Sequence, residues 1–131
     1  MNKTFKLSAA FLFIIFAVLL FFRTNGGDKN IDFPEKMDSE GEVTVSAQPT
    51  ASNSGMEIIV LMDTHTVDME ESLEEVSYLE SNGDKYNPVE WIGDPPGGHH
   101  RSGSLFFDKE FTNFTLHIES IGGEHKKFNW K

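Results

Sequence analysis

Residues Met56–Met62 read Met-Glu-Ile-Ile-Val-Leu-Met, and this stretch decides the fold. An almost unbroken apolar, β-branched run of that length is too short for a core helix. It predicts a central strand buried on both faces. Upstream, Val43 and Val45 alternate with polar residues, and Pro49–Gly55 reads as a turn. Downstream, Asp68–Val76 is the one helical candidate, a single turn at most. Glu75–Leu79 reads as a strand, and Asn82-Gly83-Asp84 turns it back into Lys85–Trp91, where Pro88 marks an edge or a bulge. Gly93–Gly98 (Gly-Asp-Pro-Pro-Gly-Gly) is a loop, and Gly103–Phe107 is a short apolar strand. Phe114, Leu116 and Ile118 then alternate with Thr115, His117 and Glu119. Gly122-Gly123 turns the chain into a last strand that carries Phe128 and Trp130 on one face. About seven short strands at this spacing predict an all-β fold, an immunoglobulin-like antiparallel β-sandwich. Its expected core includes Ile59, Leu61, Trp91, Phe106, Leu116, Ile118, Phe128 and Trp130. His117, opposite in phase to its apolar neighbours, and His125, beside Lys126 and Lys127, are expected in solvent.

The chain of 131 residues has room for one such domain. Before it, Leu7–Phe22 carries no charge, and Lys3 and Lys6 precede that run. With Phe5 and flanking residues the apolar span approaches the minimum for a transmembrane helix, and the basic start orients the N-terminus toward the cytoplasm. Residues 1–23 are therefore expected to be a transmembrane anchor in contact with membrane lipid. No small-residue cleavage site follows Phe22, although a cleaved secretory signal would also begin in this way. Residues 24–41, rich in Gly, Asp, Asn, Lys and Glu, read as a flexible linker, and residues 42–131 as the exported domain. The chain as a whole has a formal net charge of −10. Nine basic and 21 acidic side chains lie beyond Phe22, a net of −12. Such a surface repels phosphate backbones and argues against nucleic acid as a partner. With no cysteine, disulfides, thiolate metal sites and a Cys nucleophile are excluded.

Three stretches resemble a known group: Met62–Asp68 (Met-Asp-Thr-His-Thr-Val-Asp), Trp91–Gly103 (Trp-Ile-Gly-Asp-Pro-Pro-Gly-Gly-His-His-Arg-Ser-Gly), and Ile121-Gly-Gly with Phe128-Asn-Trp130. Together they are similar to uncharacterised membrane-anchored, extracytoplasmic β-domain proteins of bacteria and archaea. The resemblance spans most of Met56–Lys131. It implies this topology and the same His-containing loop, and it implies no reaction.

The chemistry-bearing candidates are Asp63, His65, His99 and His100. Each stands at an expected strand end or in the Gly-rich loop, and imidazole with carboxylate suits copper or zinc. Adjacent residues of a regular strand point opposite ways, so His99 and His100 can share an ion only from irregular backbone. The competing reading is architectural, with the His pair and Arg101 bonding loop carbonyls and nearby acids. Glu70, Glu71, Glu74 and Glu75 read as a solvated face. No motif of nucleophilic catalysis is present, so the chain is not expected to be an enzyme. The function expected is a membrane-anchored extracytoplasmic binding or interaction module, with a transition metal at those four residues as one possibility. The alternative is a structural accessory domain contacting a protein partner in the envelope.

Overall fold

The structure is a computed structural model, and it describes residues 29–131. The expected anchor, residues 1–23, lies outside the described residues. Among those described, no helix is long and apolar enough to cross a membrane. The strands are β1 (Ile31–Asp32), β2 (Lys36–Asp38), β3 (Val43–Ser52), β4 (Gly55–Thr64), β5 (Ser77–Ser81), β6 (Asp84–Tyr86), β7 (Glu90–Gly93), β8 (His100–Phe107), β9 (Phe114–Ile121) and β10 (Glu124–Trp130). One helical turn, α1 (Leu73–Val76), precedes β5.

These strands form two antiparallel sheets. The first runs β3–β4–β8–β7, with β1 and β2 sharing the outer edge of β3. The second runs β10–β9–β5–β6. Side chains from both sheets meet in one core: Val43, Val45, Ile58, Val60 and Leu105 from the first, Leu79, Leu116, Ile118 and Phe128 from the second. Antiparallel strands in a two-layer sandwich bury alternate residues and leave the others facing water.

That alternation corrects the reading of the decisive stretch. Met56, Ile58, Val60 and Met62 are buried, but Ile59 and Leu61 are 42% and 46% exposed. Among the described residues nothing packs over the outer face of the first sheet, so the unbroken apolar run reflects an apolar outer face rather than burial on both sides. Trp91 and Phe106 are half-buried, while Leu116, Ile118, Phe128 and Trp130 are in the core as expected.

Proline is used in two unexpected ways. Pro49 lies inside β3, opposite Ile58, and the turn comes only after Ser52. Its carbonyl accepts from Phe33 N at 3.0 Å, so its nitrogen also faces the outer edge, at the break between β1 and β2, where no ladder donor is needed. Pro88 is buried between β6 and β7, where the chain leaves one sheet for the other, so Lys85–Trp91 is two strands rather than one.

Most of the expected linker is structured. Phe33 packs edge-on against Phe114 at 5.1 Å, and Trp130 Nε1 donates to Pro34 O at 2.8 Å. Lys126 points inward from β10, fully buried. It donates to Glu40 O at 2.6 Å and pairs with Glu124 at 3.2 Å and Asp38 at 3.5 Å. A few anchoring contacts order this polar segment, although its composition resembles a tether.

Candidate functional site

The rim expected to hold the site forms where the end of β4, residues 65–72 and the loop before β8 meet. The loops are tied by backbone bonds: Thr64 N to His99 O (2.9 Å), Met69 N to Gly98 O (3.1 Å) and Gly97 N to Met69 O (2.8 Å). Arg101 is buried between them. Its Nη1 donates to Met69 O at 2.9 Å and Glu71 O at 2.8 Å. Burial pulls the guanidinium below its ordinary pKa, and Glu71 and Asp94 oppose that shift. Burial alone would raise the Glu71 carboxyl. Hydrogen bonds from backbone N–H groups of Glu71, Gly122 and Gly123 and from the Ser120 hydroxyl outweigh it and hold the group below the usual carboxylate value. Glu71 is thus a loop clamp, and Glu74 accepts from Trp91 N at 3.2 Å, so two of the four clustered acids have structural partners.

The histidines here divide rather than converge. β8 begins at His100, which lies directly across from Asp63, and His100 Nδ1 is 2.5 Å from Asp63 Oδ1. His99 remains in the loop, with Nε2 3.5 Å from Asp68 Oδ1. His65 meets His100 edge-on, ring centres 6.4 Å apart. Because the strand starts between the two adjacent histidines, their rings go to different acids. The expected four-residue set is not gathered: among the described residues no group of three or more His, Asp or Glu is placed to hold a metal ion. A shallow pocket of about 210 Å³ does open here, lined by Leu61, Asp63, Asp94, His100, Arg101 and Ser102.

A second histidine group, which the sequence reading left in solvent, lies on the outer face of the second sheet. His117 in β9 is only 6% exposed. Tyr78 of β5 is its register partner and stacks on it, ring centres 4.6 Å apart and nearly parallel. Lys85 Nζ lies 4.1 Å from the Tyr78 ring centre. His117 Nδ1 shares a 3.4 Å hydrogen bond with Nε2 of exposed His125, and His117 Nε2 is 3.6 Å from Glu80 Oε2 with no hydrogen-bond partner among the described residues. Burial pulls the imidazole below its ordinary pKa; Glu80 and Glu119 oppose this, while His125 and Lys127 reinforce it.

A signal for this pairing was present in the sequence. A strict two-residue turn at Gly122-Gly123 would set Phe128 across from His117, yet the apolar phases require it across from Leu116. One extra residue resolves the conflict. From Ile121↔Glu124 to Ile118↔Lys126, β9 advances three residues and β10 two, so Glu119 and Ser120 together face His125.

Compared with known proteins, the chain matches no family model, no curated protein and no solved structure.

Proposed function

We propose that this chain is a non-catalytic, membrane-anchored interaction module, displayed outside the cytoplasm, that docks a protein partner of the envelope. The observation that carries this reading is the outer face of the first sheet. In register across it lie Met37, Ser46, Leu61 and Ser102, and beside them Gln48, Ile59, Ser104 and Ile92. Met37 is 67% exposed and Ile92 56%, in addition to Ile59 and Leu61. Large apolar side chains separated by small hydroxyls make a flat, easily desolvated surface, and contiguous patches of this kind mark interaction sites.

The strand order supports an immunoglobulin-like reading. Among the eight main strands from β3 to β10, the first, second, sixth and fifth form one sheet. The eighth, seventh, third and fourth form the other, which is the immunoglobulin arrangement with an added fourth strand. Anchoring rests on the uncharged run Leu7–Phe22 between Lys6 and Arg23. Retention in the membrane after carbonate washing is expected, whereas release of a species lacking about 25 N-terminal residues would mean a cleaved signal.

Docking is tested by placing a photo-crosslinking residue at Leu61 and, as a control on the opposite face, at Lys127 of the full chain in its native membrane. A discrete protein adduct from position 61 and none from position 127 supports the proposal. Adducts from both or from neither contradict it.

A further inference from the structure

We propose that His117 and His125 form a two-histidine site for a zinc-like divalent metal ion on the outer face of the β10–β9–β5–β6 sheet. Two imidazole nitrogens bound to one tetrahedral ion at about 2.0–2.1 Å stand about 3.3 Å apart. His117 Nδ1 and His125 Nε2 are 3.4 Å apart and hydrogen-bonded to each other, so an ion that replaces the shared hydrogen keeps this spacing and needs only a turn of the exposed His125 ring. Two nitrogens in adjacent positions of a square-planar copper(II) site would be nearer 2.9 Å, which makes tetrahedral zinc the better match.

The surroundings favour this use of the pair. Glu80 Oε2 lies on the far side of the His117 ring, 3.6 Å from Nε2. A carboxylate there favours the tautomer with hydrogen on Nε2 and leaves the Nδ1 lone pair toward His125, the carboxylate–histidine–metal arrangement. Among the described residues Nε2 has no other partner although it is buried. Stacking on Tyr78 fixes the His117 ring plane before any ion arrives. His125 is exposed and sits opposite the extra residue of β9, free to adjust to an ion. The protein supplies two ligands, and water fills the remaining positions.

The rim histidines lack this geometry. His99 and His100 face separate carboxylates, Asp68 and Asp63, and His65 meets His100 only edge-on, with ring centres 6.4 Å apart. The two groups therefore make opposite forecasts for the same titration.

The test is calorimetric titration of zinc(II) into the full chain in detergent, without an affinity tag and after chelator treatment. Wild type is compared with His125→Ala, His100→Ala and Glu80→Gln. One equivalent should bind. His125→Ala, at an exposed position that the fold does not need, should lose at least tenfold in affinity, and His100→Ala should bind as wild type does. Glu80→Gln should weaken binding by about tenfold through the orientation of His117, while the His117 and His125 ring resonances still shift together in NMR spectra when zinc is added. No zinc binding by wild type, undiminished binding by His125→Ala, or loss of binding in His100→Ala would each overturn the site. Equal affinity in Glu80→Gln would overturn the positioning role of Glu80.

Discussion

The two outer faces of this sandwich differ in a way that sets their uses. On the first sheet, Ile59, Leu61 and Ile92 stand in water among serines. On the second, Tyr78 and His117 stack on one another, Asn129 donates to Thr115, and the exposed groups are polar or charged, histidine among them. One face leaves apolar area unsatisfied, and the other satisfies its own area and concentrates ligand chemistry. A sandwich core places the same demand on both sheets, so differences on the outer faces record something other than folding.

The largest expected effect tests the shared core. Leu116 is fully buried, and Leu116→Ala should cost about 2–5 kcal/mol in equilibrium unfolding, the range for truncating a buried leucine. A shift near zero would mean that β9 is turned over, and the comparison of faces would collapse with it.

A second perturbation tests the junction between β7 and β8. Gly93 and Gly103 are register partners, and a Cβ on Gly103 would stand 2.6 Å from both Gly93 Cα and Trp91 Cζ2. Gly103→Ala should cost about 1–3 kcal/mol by overpacking and should raise the exposure of Trp91, seen as a red shift of its fluorescence. Unchanged stability and emission would show that the indole does not cap this pair.

The rim is sharpened by Arg101→Met, which removes the donors to Met69 O and Glu71 O and should cost about 1–3 kcal/mol. No loss would show that the loops hold together without it.

A smaller effect is expected from pH. The Glu71 carboxyl has a folded pKa below its unfolded value, so it adds stability above the ordinary carboxylate pKa, and that stability is lost as pH falls through the folded value. Glu71→Gln should therefore flatten the acid limb of the stability profile. Identical acid limbs for both proteins would contradict the clamp assigned to it.

Much of this was legible because turns and alternation are local. Asn82 and Gly83 adopt φ values of 52° and 84°, the left-handed turn that the Asn-Gly pair implied. Asp68–Val76 does contain one helical turn, and Gly122-Gly123 does connect the last two strands. What was lost depended on partners distant in the chain. Whether Ile59 and Leu61 face water depends on what lies above the first sheet, and among the described residues nothing does. Residues 31–40 are ordered by pairing to the edge of β3 and by Phe114, Lys126 and Trp130, the last three more than seventy positions away. His99 and His100 could share an ion only from irregular backbone, yet the strand starts between them. His117 and His125 were separated by a turn and a bulge, yet register brings them together. Sequence neighbours on a strand diverge by pleat, whereas cross-strand neighbours converge, and the latter depend on register.

The central claim is that the apolar side chains on the outer face of the first sheet do not serve the fold. Equilibrium unfolding of Leu61→Ser beside wild type tests it most directly. Leu61 is 46% exposed, so the two midpoints should agree to within about 0.5 kcal/mol, as for surface substitutions generally. A loss of about 2–5 kcal/mol, the cost of truncating a buried leucine, would contradict the claim and return this face to the core.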